Sequence, residues 1–256
     1  MLLGIDHIVI ACADPDAAAD EIGRRVGLEP GGGGRHPRFG TFNRLVWLGD
    51  SYLELMGVDD PDLARGRGIG AATVALLEAG QQGFASFAVA SDDLAGDVAR
   101  LRSGGAPYED PKPGERRRPD GEVVRWMTAL PDRVGRDGLP FLIEHAYAGA
   151  EWGAGARLAR RRARQPLGGH VEIVGLELAV ADPAAAAKRY RAGLGLAIRQ
   201  GSGGAVRVAI GSQGIVFVPD SGDVPPSAIV IAATGGEPRS LDVLGCRFVV
   251  EVTRAS

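Results

Sequence analysis

Two stretches decide how this chain folds: LGIDHIVIACADPDAAADEIGRRVGL (residues 3–28) and VEIVGLELAVADPAAAAKRYRAGLGL (residues 171–196). A constant offset of 168 pairs Ala13 with Ala181, Asp14 with Asp182, Pro15 with Pro183 and Ala17 with Ala185. The same offset still holds at Gly27–Leu28 against Gly195–Leu196. Agreement at both ends of one helix marks an internal repeat. Each copy reads as an apolar strand, an Asp N-cap, a Pro at the first helical position, an alanine-rich helix and a Gly where the helix stops.

A weaker copy begins at residue 83, GFASFAVASDDLAGDVARLRSGGAPYED, and an offset of 79 places Ser86 on His7 and Asp93 on Asp14. Short strand-like segments follow each helix. They lie at 41–49 and 51–58, at 121–130 and 139–147, and at 204–210 and 213–219, with 227–233 and 245–252 as the remnant of a fourth unit. The expected unit is strand–helix–strand–strand–strand, at about 1–60 and 83–148, and again in degenerate form over 170–256. Residues 149–169, with the run RLARRRARQP (157–166), read as a solvated basic linker helix.

Composition narrows the function. At 256 residues, 45% hydrophobic and 24% charged, the chain can bury a large core without disulfides or a structural metal. Glycine, 39 of 256 residues, is about twice its usual share and is spread over many turns. A net charge of −3 supplies no broad attraction for nucleic acid or an acidic membrane, so neither is an expected partner. No apolar run nears the ~18 residues of a membrane span. The first residues lack a basic n-region and read as a strand rather than a signal peptide, which points to a cytoplasmic protein. Cys12 and Cys246, inside apolar runs, read as buried reduced thiols. GGGG (31–34) lacks the Lys-Ser/Thr of a phosphate-binding loop, and no GxSxG, CxxC or HExxH occurs.

GRHPRFGTFN (34–43), LVWLGDSYLEL (45–55) and LPFLIEH (139–145) resemble the glyoxalase-like domain group of the vicinal oxygen chelate superfamily, over roughly residues 1–148. The resemblance implies an α+β fold in which tandem βαβββ units curl into a cup-shaped mixed sheet. It also implies metal-ligand positions on the first and last strand of each unit, carried here onto His7, Glu54, Ser86 and Glu144. One imidazole and two carboxylates from His7, Glu54 and Glu144 suit a divalent Zn, Ni, Co, Mn or Fe(II) ion. The resemblance implies a lyase, isomerase or dioxygenase acting on a substrate with adjacent oxygens, with Glu144 as the general base.

Strand alternation puts His7, Val9 and Ala11 on one face, and Tyr52, Glu54 and Met56 on one face. It groups Leu142 with Glu144 and Ala146, and Phe141 with Ile143 and His145; Glu144 is assigned to the cup and His145 away from it. Ser86 departs from the pattern, since a neutral hydroxyl is a poor ligand; His36 is the candidate to fill the gap, leaving Ser86 to face the substrate. Asn43, Leu45 and Trp47 share a face, as do Arg125, Met127 and Ala129. Asn43, Trp47 and Arg125, together with His36, are therefore candidate substrate contacts, Arg125 for an anionic group. Arg116, Arg117 and Arg118 read as a solvated hairpin end. The third unit has Gly175 and Val216 at the ligand positions and so no metal chemistry. Two readings stand: a metal-dependent vicinal oxygen chelate enzyme, and a metal-free protein of the same fold that binds or sequesters a small molecule. The expected partners are that small molecule and a second copy of the chain as a homodimer.

Overall fold

The computed structural model describes residues 1–66, 68–222 and 225–253. The first unit is β1 (Leu2–Ala11), α1 (Pro15–Val26), β2 (Pro30–His36), β3 (Thr41–Leu48) and β4 (Ser51–Val58). Two helices, α2 (Pro61–Ala64) and α3 (Gly68–Glu78), lead to the second unit: β5 (Gly83–Ser91), α4 (Leu94–Ser103), β6 (Lys112–Arg117), β7 (Val123–Ala129) and β8 (Phe141–His145). The eight strands close into a barrel in the order β1-β4-β3-β2-β6-β7-β8-β5. Within each unit the outer strands are parallel, β1 to β4 and β5 to β8, and the units meet where β1 runs antiparallel to β5.

After α5 (Gly149–Trp152) and α6 (Ala154–Arg162), the third unit is complete: β9 (Val171–Val180), α7 (Pro183–Leu194), β10 (Ile198–Gln200), β11 (Val206–Ile210) and β12 (Gln213–Pro219). A fourth, without a helix, keeps β13 (Ser227–Ala233), β14 (Arg239–Val243) and β15 (Cys246–Val252). Their sheet, β10-β11-β12-β9-β13-β15-β14, repeats the barrel's strand order but lacks a counterpart of β6. The β2–β6 pairing is what shuts the barrel, so the second sheet stays open. That closure depends on the glycine run of β2, because a Cβ on Gly34 would collide with the carbonyl oxygen of Arg117 on β6.

The repeated helix signals act as their chemistry requires. Asp14 and Asp182 accept backbone N–H bonds at the starts of α1 and α7, and Gly27 and Gly195 end them in the left-handed conformation. One core runs through both sheets. Ile8, Ile10, Leu53, Leu55 and Phe87 on the barrel's outer side join Ile173, Tyr190, Phe217 and Phe248. Gln213 of β12 ties the two layers together by holding the backbone of Ile5 and Ile173. Cys12 and Cys246 are buried free thiols. Among the described residues no helix is long and apolar enough to cross a membrane.

The segment after β8 is not the solvated linker that its arginines suggest. Glu151 and Trp152 are buried, and only α6 is exposed or half-exposed throughout. Trp152 stacks on His145 with ring centroids 3.6 Å apart, so this turn plugs one end of the barrel.

Candidate functional site

The barrel encloses a cavity of about 410 Å³, a size suited to a small organic molecule. His7 of β1, Tyr52, Glu54 and Met56 of β4, and Asn43 and Leu45 of β3 reach it from the first unit. Trp126 of β7 and Phe141, Ile143 and His145 of β8 reach it from the second, and Leu63 and Ile69 of the α2–α3 segment lie over it. The walls are apolar. The second unit adds Lys112, Arg116, Thr128 and His145, and the first unit gathers its polar groups on one side.

That side is a connected network. His7 Nε2 lies 3.4 Å from Glu54 Oε2, and Asn43 donates its amide N–H to Glu54 Oε1 at 2.6 Å. His36 Nε2 stands 3.8 Å from Glu54 Oε1, and its Nδ1 is 2.9 Å from the Thr41 hydroxyl. Behind His7, Nδ1 meets the Asp6 carboxylate at 2.6 Å, and the other neighbour of Asp6 is His145 Nε2 at 3.1 Å. Asp6 can serve two imidazoles because β1 has a bulge there: Ile5 pairs with Val89 and His7 with Ala88, leaving Asp6 as the extra residue. Strict alternation would turn it to the opposite side.

The network sets the charges. Burial alone would push His7 down, but hydrogen bonds and charges from Asp6 and Glu54 override it and raise the imidazole to about 9. Burial would raise Glu54, and its contacts with His7, His36 and Asn43 instead hold it at about 2. Asp6 is likewise held well below the usual carboxylate range, against burial, by His145 and His7. His36 goes the other way: burial lowers it to about 4, more than the nearby Glu54 can restore. At neutral pH the cavity therefore holds a charged His7 between two carboxylates, and a neutral His36.

The register of the strands shows which positions of the two units correspond. In the first unit Val9 pairs with Glu54; in the second, Ala88, at the 79-residue offset from Val9, pairs with Phe141. Phe141 therefore stands where the first unit has Glu54, and its ring meets His7 edge-on at 5.2 Å. Ser86 is buried opposite Val9 and is not among the residues that line the cavity. In the third unit Gly175 and Val216 occupy the corresponding places.

Several expected positions need correction. Glu144 faces out of the barrel, where it accepts the Leu94 N–H at the start of α4 at 2.8 Å; His145 is the residue of that pair that faces in. The barrel interior thus brings together His7, Glu54, Asn43 and His36, but not Glu144. On β7 the inward residues are Val124, Trp126 and Thr128, so Arg125 is exposed and its neighbour is Glu115 at 3.9 Å. Trp47 packs beyond the cavity, on Tyr52 and Trp152 and under the guanidinium of Arg160. Arg116 is not a solvated hairpin end: it is buried and pairs with Glu151. Sequence reasoning missed Asp6, Trp126 and the α2–α3 segment. The one available signal was Asp6 itself, a charge inside an apolar strand.

A divalent ion would find His7 Nε2 and Glu54 Oε2 on one side of the cavity and a phenylalanine ring on the other. His36 could approach only at Glu54 Oε1, an oxygen already engaged by Asn43. Among the described residues no group of three or more His, Cys, Asp or Glu side chains is placed to hold a metal. His7, His36 and Glu54 are the imidazole and carboxylate donors that this side of the cavity offers.

Comparison with protein families matches residues 5–194 to the glyoxalase-like domain model. The chain belongs to the glyoxalase-like domain family. That places the barrel in the vicinal oxygen chelate superfamily, with which its α+β architecture agrees. Among solved structures, a hypothetical protein from Staphylococcus aureus is similar over 99% of this chain and 100% of its own, with TM-score 0.81 and 15% identity. The likeness extends the shared fold through the C-terminal sheet. Streptomyces coelicolor methylmalonyl-CoA epimerase in complex with 2-nitronate-propionyl-CoA is 26% identical over 57% of this chain and 99% of its own, with TM-score 0.43. The Mycobacterium tuberculosis methylmalonyl-CoA epimerase is 23% identical over 56% of this chain and 88% of its own, at the same TM-score. These superpositions are too loose to transfer residue roles. No curated protein matches the chain.

Proposed function

We propose that this glyoxalase-like protein binds a small molecule in the barrel cavity and needs no metal to do so. The observation that carries this reading is the pairing of Glu54 with Val9 and of Phe141 with Ala88, which puts a carboxylate in one half of the barrel and an aromatic ring at the matching place in the other. An open-mouthed space of about 410 Å³ with mostly apolar sides and a few polar groups is the form of a ligand site. His7 and Glu54 neutralise each other there and fix the orientation of a bound polar group.

The test uses the neutral fluorescent probe N-phenyl-1-naphthylamine. Saturable binding of one molecule per chain is expected, unchanged by a chelator and abolished by Ile143→Trp, which fills the cavity. Binding that a chelator removes and a divalent ion restores would return the protein to the metal-dependent reading. No saturable binding at all would remove the cavity as a ligand site.

A further inference from the structure

The charged groups of the cavity come with partners of opposite sign. His7 stands between Asp6 and Glu54, at 2.6 and 3.4 Å. Arg116 pairs with Glu151, which also has Arg118 at 3.7 Å. Lys112 is mostly exposed and reaches Glu109 at 2.9 Å. A ligand with a charge of its own would have to break one of these pairs or lie buried without a counter-ion. Either is costly.

The acceptors are served as well. Asn43 donates an amide N–H to Glu54 Oε1, its amide nitrogen stands 3.5 Å from His36 Nε2, and His7 faces Glu54 Oε2. His145 lies against Asp6, and its other ring nitrogen is sealed off. Beyond that nitrogen, the lining groups without a hydrogen-bond partner among the described residues are neutral and able to donate. They are the hydroxyls of Tyr52 and Thr128 and the indole N–H of Trp126.

Tyr52 is the most firmly held of the three. It is only 7% exposed, and its ring stacks on His7 at 4.5 Å and packs against Trp47 at 4.8 Å. Burial raises the phenol well above its usual range, so it keeps its proton. A hydroxyl so enclosed lacks a bond that an incoming acceptor restores. The two hydroxyls can also accept, but the indole N–H can only donate, so an acceptor suits all three.

We infer that the cavity takes an uncharged molecule, an apolar body carrying a carbonyl oxygen that accepts the Tyr52 hydroxyl while the body lies against Phe141 and Ile143. This rests on the reading of the cavity as a ligand site and names the chemistry of the ligand. The anionic ligand that Arg125 suggests in the sequence is set aside, since Arg125 is exposed and faces Glu115.

Three probes of one shape decide it: 4-phenyl-2-butanone, 3-phenylpropanoate and 4-phenyl-2-butylammonium, titrated into the unmodified protein at pH 7 by calorimetry. The ketone should bind at least ~10-fold tighter than either ion. Tyr52→Phe, which keeps the ring and removes the hydroxyl, should weaken the ketone by about 5-fold or more. A charged probe that binds as well as the ketone overturns the uncharged acceptor and leaves the ligand site standing. So does a folded Tyr52→Phe that binds the ketone undiminished. Failure of all three up to millimolar concentration overturns it too, and the N-phenyl-1-naphthylamine titration then shows whether the site falls with it. The ranking within the unmodified protein decides the question even if Tyr52→Phe does not fold.

Discussion

In the first half of the barrel the bulge on β1 carries Asp6, which holds His7 and His145 and helps to keep His7 charged. The second half has a matching bulge on β5: Val9 pairs with Ser86 and Ile10 with Phe84, so the extra residue is Ala85. Ala85 lies 79 positions after Asp6, the offset that relates the two units. The backbone irregularity is therefore kept in both copies while its chemistry is kept in one. A bulge re-aims a side chain whatever that side chain is. The second unit uses it to pack Ala85 in one apolar cluster with Ala88, Phe141 and Ile143 and with Val9, Ala11 and Met56 of the first unit. A polar network facing an apolar wall is suited to gripping one end of a ligand.

The sharpest way to break this comparison is to remove the charge that only one bulge carries. Asp6→Ala leaves His7 and His145 buried without their shared carboxylate. Losing one partner of a buried ionic network costs about 3–5 kcal/mol. Urea unfolding should show that loss, whereas Ala85→Ser, the matching position in the other unit, should cost roughly 1 kcal/mol or less. Equal effects at the two bulges would mean that the network contributes no more than packing does.

A second effect concerns acidity. His36, lowered from 6.5 to about 4, stays neutral when folded, whereas the unfolded chain takes up its proton below about 6.5. Stability should therefore fall as pH drops from 6.5 towards 4. His7, raised from 6.5 to about 9, keeps a proton that the unfolded chain releases. Its contribution is complete below 6.5 and is lost as pH rises towards 9. The two limbs meet near pH 6.5, where stability should peak, and each limb is worth up to roughly 3 kcal/mol. Glu54, held at about 2, titrates below this window, its contribution fading as pH falls under 4.5. Denaturation midpoints between pH 4.5 and 9 should trace the peak, and His36→Gln should flatten only the acid limb.

The same contrast explains what the sequence discloses. On β1 and β4 the alternation of Ile8, Ile10, Leu53 and Leu55 against His7, Val9 and Glu54 assigns the faces correctly, because charge marks one of them. On β8 the residues FLIEH are apolar on both faces. Alternation groups Phe141 with His145 and Leu142 with Glu144, but it cannot say which pair lies inside. That phase comes from the pairing of Ala88 with Phe141 across β5, a long-range register with no local signal. The same error carried over to Arg125 on β7. Asp6 was hidden for the opposite reason, since a bulge breaks the alternation that is used to find faces. The repeat of Asp-Pro and Gly around each helix was legible because caps are local chemistry.

The smallest effects should come from the carboxylate that the second unit does possess. Glu144 sits outside the barrel and accepts the Leu94 N–H where α4 begins. Removing such a cap costs about 1 kcal/mol, and a carboxylate at this end also favours the helix dipole. Glu144→Ala should therefore lower stability by about 1 kcal/mol and leave N-phenyl-1-naphthylamine binding unchanged. Arg125→Ala, at an exposed pair 3.9 Å from Glu115, should change stability by less than about 0.5 kcal/mol. Binding measured on both variants separates the faces of β7 and β8 directly. A loss of affinity in Glu144→Ala without loss of stability would turn β8 around and give the second unit the acid that its register denies it.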